Sequence, residues 1–191
     1  MKRIKVKFEQ IADIENIKSA IVNAARNKKH RRSITKCLND IDGTAIKIQR
    51  ILLSPDRSKY LSTGTVKVIN EGTGRKVRTI CRPNFFPDQI IHWAVMQKLA
   101  PYFVKMYYTH SYASVPGKGV HKALRKMNSA FRRDMKGTKY CLQFDIRHAY
   151  DSVNKELIVA CVRRKVKDPR VTDLKSDIVY SYVLSGLPKG F

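Results

Sequence analysis

Lys139-Tyr-Cys-Leu-Gln-Phe-Asp145-Ile-Arg-His-Ala-Tyr150-Asp151-Ser-Val-Asn154 is the stretch on which the reading of the fold turns. Alternation with a period of two places Tyr140, Leu142 and Phe144 on one face of a strand and Cys141, Gln143 and Asp145 on the other. A carboxylate is therefore expected at the end of a half-buried strand. Burying an ionised group without compensation costs several kcal/mol, so Asp145 asks for an Arg or Lys partner or a bound cation. The same pattern also describes an Asp that ends a strand and caps the helix behind it, and the stretch alone leaves both roles open.

Charge narrows the partner. Thirty-nine Lys and Arg against fifteen Asp and Glu give +24, spread along the chain rather than held in one tail. Such an excess favours polyanions, because every neutralised phosphate releases condensed counterions. An anionic membrane surface would use the same charge, but no strongly amphipathic basic helix with large aromatics is evident. Nucleic acid is the favoured partner. With 43% hydrophobic residues in 191, the chain has material for one domain or two small ones. No run approaches the roughly 18 apolar residues of a membrane span, and Met1-Lys-Arg-Ile-Lys-Val-Lys7 leads into no apolar signal core, so a cytoplasmic protein is expected. Cys37, Cys81, Cys141 and Cys161 are scattered without a C-x-x-C pair and read as reduced core residues, while His92 beside Trp93 reads as packing.

Taken in order, Ile11, Ile14, Ile17, Ile21, Val22 and Ala25 recur at helical spacing, and one amphipathic helix is expected over 9–26. Asn27-Lys-Lys-His-Arg-Arg-Ser33 follows, a basic loop that is either a solvated surface or a phosphate contact. A second helical tract covers 34–53, with a break expected at Asp42-Gly43 because a glycine inside a helix costs about 1 kcal/mol relative to Ala. Thr65-Val-Lys-Val-Ile69 and Lys76-Val-Arg-Thr-Ile80 flank Asn70-Glu-Gly-Thr-Gly74 as a hairpin, with Lys67 and, across the turn, Arg75 or Arg78 on polar faces. An apolar helix over 88–103 should bury Ile90, Ile91, Ala94, Val95 and Leu99. In Ser111-Tyr-Ala-Ser-Val-Pro-Gly-Lys-Gly-Val-His121, Gly117 and Gly119 let backbone amides approach a ligand, Lys118 adds charge, and the helix that opens there favours anions. The P-loop spacing is absent. That helix carries Arg125, Lys126, Arg132 and Arg133 towards Gly137, and another is expected over 155–166 behind the central strand.

Phe144-Asp145-x-x-x-Ala149-Tyr150-Asp151-Ser-Val153 resembles the first carboxylate motif of the reverse transcriptase palm, in which an apolar strand delivers a metal-binding Asp and an aromatic follows five residues later. Ser185-Gly-Leu-Pro-Lys-Gly190 is similar to the next motif of that family, except that Lys189 stands where Gln is usual. The basic hairpin resembles the fingers that hold the incoming triphosphate, Arg82-Pro-Asn-Phe-Phe-Pro-Asp88 resembles the connection ahead of an apolar helix, and the Gly-Lys-Gly segment resembles a wall of the template channel. The order of these motifs, from about Tyr60 to Phe191, is closest to the bacterial and phage-type enzymes of mobile genetic elements: retrons, diversity-generating elements and group II introns.

The resemblance implies an α+β fold: right-hand polymerase fingers and a partial palm, with helices around a small antiparallel sheet. It divides the chain into an N-terminal helical segment at 1–58, fingers at 59–138 and partial palm at 139–191. It implies RNA-directed DNA polymerase chemistry with Mg2+ (or Mn2+), an RNA template, a DNA primer and dNTP substrates. Asp145 and the carbonyl of Ile146 would hold the metal. His148 and Ala149 would floor the sugar pocket, and Tyr150 would exclude a ribose 2′-hydroxyl. Lys67, Arg75, Arg78 and Lys189 would lie at the nucleotide, and Gly117, Lys118 and Gly119 at nucleic acid. The aromatic-x-Asp-Asp motif does not occur before Phe191, so the 191 residues alone are expected not to polymerise, and a second chain carrying the missing palm and thumb is an expected partner. The alternative is a noncatalytic nucleic-acid-binding protein derived from a reverse transcriptase.

Overall fold

A computed structural model of the chain describes residues 3–61, 64–71, 76–146 and 149–181. Backbone packing divides the chain into two compact units, Met1–Leu99 with His148–Phe191, and Ala100–Arg147. The architecture is α+β, and the sheet among the described residues is a single antiparallel pair.

The helix expected over 9–26 is two helices, α1 (Phe8–Ile11) and α2 (Ile14–Ala25). Asp13 separates them: its backbone is extended and its carboxylate accepts the Asn16 amide at 3.0 Å, which makes it the N-cap of α2. Ile17, Ala20, Ile21, Ala24 and Ala25 then form one buried stripe, packed on α4. The second tract is likewise divided, into α3 (Arg32–Asn39) and α4 (Ile41–Leu53). The break falls at Asp40, not at Asp42-Gly43, because the Asp40 carboxylate caps α4 by accepting the Gly43 amide at 2.9 Å. Gly43 is needed for that approach, since a Cβ there would run into the carboxylate.

Strands β1 (Thr65–Glu71) and β2 (Lys76–Arg82) pair in the register Thr65↔Arg82, Lys67↔Ile80 and Ile69↔Arg78. Val66 and Val68 are exposed, as Lys67 is. After an irregular helical turn at Phe85–Gln89, α5 (Ile90–Met106) buries the five residues expected of it: Ile90, Ile91, Ala94, Val95 and Leu99. A buried polar clasp ties α5 to α2. Asn16 Nδ2 donates to the carbonyls of Ile11 at 2.9 Å and Ala94 at 3.1 Å, while Gln97 Nε2 donates to Asn16 Oδ1 at 2.5 Å.

Beyond α6 (Val120–Arg133) and the short α7 (Ala149–Ser152) come α8 (Lys155–Lys165) and α9 (Pro169–Tyr180). The sequence reading did not anticipate α9. Its signals are an N-cap Asp168, a Pro at the first helical position, and Val171, Leu174, Ile178 and Val179 on one face, all buried. The start of the chain is fastened beside it. Ile4 pairs with Val166 in a parallel bridge, the Ile4 amide donating to Lys165 O at 2.8 Å and the Lys167 amide to Ile4 O at 2.9 Å.

The second unit corrects the central expectation. Residues 140–146 form no strand, and Tyr140, Leu142 and Phe144, expected to be half-buried, are each at least 84% exposed. A strand is held by a backbone ladder, and no described strand lies alongside this segment to supply one. Val115 is the one buried hydrophobic side chain among the described residues of this unit. In α6 the apolar residues Val120, Leu124, Met127 and Phe131 follow helical spacing, yet all four are exposed. The cysteines also depart from expectation: Cys81 is buried and Cys37 half-buried, but Cys141 and Cys161 are exposed, and all four are free thiols.

Candidate nucleic-acid interface

Helix α6 buries no residue and carries Lys122, Arg125, Lys126, Arg132 and Arg133 without a single acidic side chain. Between Ala100 and Arg133 there is no Asp or Glu at all. The loop that feeds α6 is shaped by its glycines. Gly117 (φ 73°) and Gly119 (φ 124°) adopt left-handed backbone that a side chain would strain, and around each the position of a Cβ is open space. Lys118 lies between them, and its Nζ donates to the Thr109 carbonyl at 2.7 Å. An ammonium has three protons, so this bond leaves Lys118 able to meet a phosphate as well.

The remaining candidates are distributed over both units. Asp145 and Ile146 are exposed in the irregular segment of the second unit, where Asp145 Oδ1 accepts the Ile146 amide at 2.9 Å. In the first unit, Lys67 is exposed on β1 opposite Ile80, Arg78 sits in β2 opposite Ile69, and Ala149 and Tyr150 open α7, with Ala149 half-buried. Arg75, His148 and Lys189 lie outside the described residues. Hard divalent cations such as Mg2+ take several oxygen ligands. One carboxylate is short of that set, and no group of three or more His, Cys, Asp or Glu side chains able to hold a metal occurs among the described residues.

Two features escaped the sequence reading. On the basic turn after α2, Val22, Arg26, Asn27, Lys29 and His30 border an open surface depression of about 600 Å³. Lys28 turns aside to donate to Gln89 Oε1 at 2.7 Å, and burial together with the charge of Arg31 holds its ammonium below the usual lysine range. Elsewhere, Lys175 is a buried lysine on α9, its ammonium pushed down to about 8 by burial. Burial, with the Lys175 charge added, pushes His92 down to about 3, so the ring is neutral at pH 7. Spacing alone does not reveal Lys175, because a lysine on the apolar side of a helix is ordinarily read as belonging to the solvated face.

The chain is similar to two curated proteins of Arabidopsis thaliana, nuclear intron maturase 1, mitochondrial, at 26% identity over 123 residues, and nuclear intron maturase 2, mitochondrial, at 26% over 136 residues. These matches take in 61% and 71% of this chain. These relatives are intron maturases. A third relative, an uncharacterised 91 kDa protein in the cob intron of Schizosaccharomyces pombe, is 24% identical over 162 residues, 78% of this chain. Together with the motif series, the similarity to maturases supports a reverse transcriptase-related family. The chain spans less than a fifth of the length of each relative, namely 17%, 17% and 19%. No protein-family model matches it. No described helix is long and apolar enough to cross a membrane.

Proposed function

We propose that this chain is the fingers and the beginning of the palm of a reverse transcriptase of the bacterial or phage type, and that it binds RNA. The observation that carries the binding is α6, fully accessible and bearing five Lys and Arg, behind a glycine loop that leaves space beside Lys118. The intron maturase relatives support RNA as the polyanion. Contacts of this kind go to phosphates and carry no base information, so affinity should depend strongly on salt and little on sequence. Titrating the 191-residue chain against labelled single-stranded RNA from about 50 to 200 mM salt tests this, with affinity expected to fall at a log-log slope of about −0.7 per neutralised phosphate. Affinity that stays flat across that range defeats the reading.

The polymerase part of the proposal rests on the motif around Asp145 and on the exposure of its carboxylate. We assign Asp145 and the Ile146 carbonyl to the metal position of a completed enzyme, with RNA template, DNA primer and dNTP as its substrates. A fusion supplying the remaining palm and thumb should extend a primed RNA template, and Asp145→Asn should abolish extension while leaving RNA binding intact. Extension that survives Asp145→Asn would overturn the assignment of Asp145 to the metal, and a fusion that never extends the primer would leave the noncatalytic RNA-binding role standing.

A further inference from the structure

Three rings at alternate positions, Tyr108, His110 and Tyr112, stand together on the loop that leads into α6. The Tyr108 and His110 rings meet edge to face with centroids 5.4 Å apart, and His110 and Tyr112 lie at 6.2 Å with their planes inclined by 30°. The Tyr112 hydroxyl and His110 Nδ1 are 3.1 Å apart. Lys118 completes the group, its Nζ lying 5.5 Å from the centre of the Tyr112 ring while it donates to Thr109 O. The loop is thereby folded back on itself, and the rings hold one another without a core beneath them. Tyr108 is 72% exposed.

Tyr108 and His110 are exposed, while Tyr112 is half-buried with Lys118 over its ring, so the open ring surface lies towards the Tyr108 end of the cluster. Phosphate chemistry explains the combination. From Ala100 to Arg133 the chain has seven Lys and Arg and no acid, a charge that repels basic surfaces and attracts a sugar-phosphate backbone. Every nucleobase has a π face that stacks on a ring whatever its sequence, but only when it is free of a duplex. We propose that Tyr108, His110 and Tyr112 form a stacking platform for the unpaired bases of a single strand, with Lys118 holding the adjacent phosphate. The inference rests on the RNA-binding reading above and adds a preference that phosphate contacts cannot supply: single strand over duplex.

The test compares the full chain with Tyr108→Leu/Tyr112→Leu and Tyr108→Phe/Tyr112→Phe. The probes are a single-stranded RNA containing 2-aminopurine and a duplex of the same length, each titrated at two salt concentrations. The Leu pair should weaken single-strand binding roughly tenfold or more and abolish quenching of 2-aminopurine, with duplex affinity and salt slope unchanged. The Phe pair, which keeps both rings, should bind and quench as the parent does. Single-strand binding by the Leu pair equal to the parent's, or an equal loss on both probes, overturns the platform while leaving the RNA-binding reading intact. A parent chain that binds neither probe overturns both, and so does one that captures an acidic peptide such as polyglutamate in preference to RNA.

Discussion

Asp168 Oδ2 accepts a hydrogen bond from the Phe8 amide at 2.8 Å, across 160 residues of chain. Its other oxygen accepts the Arg170 amide at 2.9 Å as the N-cap of α9, and the Arg170 guanidinium approaches to 3.3 Å. Burial by itself would push this carboxyl up; the Phe8 amide and then the Arg170 bonds outweigh it and hold the group below its ordinary value of 3.8. A carboxyl depressed by folding contributes stability that is complete above the unfolded value and drains away as pH falls through the folded one. Asp168→Ala should therefore cost about 1–3 kcal/mol at pH 7 and less at pH 2, below the unfolded value of 3.8. Urea unfolding at the two pH values checks this, and an equal cost at both would show that packing rather than charge is at stake.

Lys175 and His92 predict a slope of the same sign in other pH windows. Folding lowers Lys175 from 10.5 to about 8, so between those values the unfolded chain holds the extra proton and stability rises with pH. For His92 the corresponding rise lies between about 3 and 6.5. Lys175→Met keeps a long flexible side chain without the charge, and it should raise stability at pH 7 and flatten the curve above pH 8. Unfolding midpoints at pH 7 and pH 10 that keep their parental difference in this variant would refute the assignment.

The clasp between α2 and α5 separates buried from exposed polar contacts. Asn16→Leu strips partners from the carbonyls of Ile11 and Ala94 and from Gln97, and should cost about 2–4 kcal/mol by chemical denaturation. Lys18 reaches Asp42 at 2.7 Å and Glu15 at 3.0 Å, but both carboxylates are 77% exposed, so Lys18→Ala should cost far less than Asn16→Leu. Reversal of that order would mean that solvent reaches the clasp.

On α6, replacing Lys122, Arg125 and Lys126 with Gln should make the salt slope of RNA binding shallower by about 2, from about 0.7 for each lost phosphate contact. The same three replacements should leave thermal stability nearly unchanged, because none of these side chains is buried. An unchanged slope would move the interface elsewhere, the basic depression bordered by Arg26, Lys29 and His30 being the next surface to test.

Helix α5 could be read from sequence, every side chain expected of it being buried, whereas α9 was missed although its face is buried too. Breaks were displaced where a carboxylate reached back to an amide, since Asp13 and Asp40 look like any other helix acid until their caps are seen. The segment around Asp145 has a strand's alternation, but alternation states which face would be covered and does not provide the cover. Gly117 and Gly119 were read from sequence as places where backbone comes close to a ligand, and their left-handed φ accounts for glycine there, whereas the His110 cluster depends on a loop closure that carries no periodic signal.

The pairing of Ile4 with Val166 also bears on how the chain is made. A ribosome delivers Phe8 long before Asp168, and at roughly 5–20 residues per second the intervening 160 residues take on the order of 8–30 s. Throughout that interval Ile4, Val6 and Phe8, all buried in the finished first unit, lack the corner of α8 and α9 against which they close. The whole of the second unit is synthesised during the wait. Until α9 is delivered, Ile4 and Phe8 therefore stay without the partners at Val166 and Asp168 that fasten them.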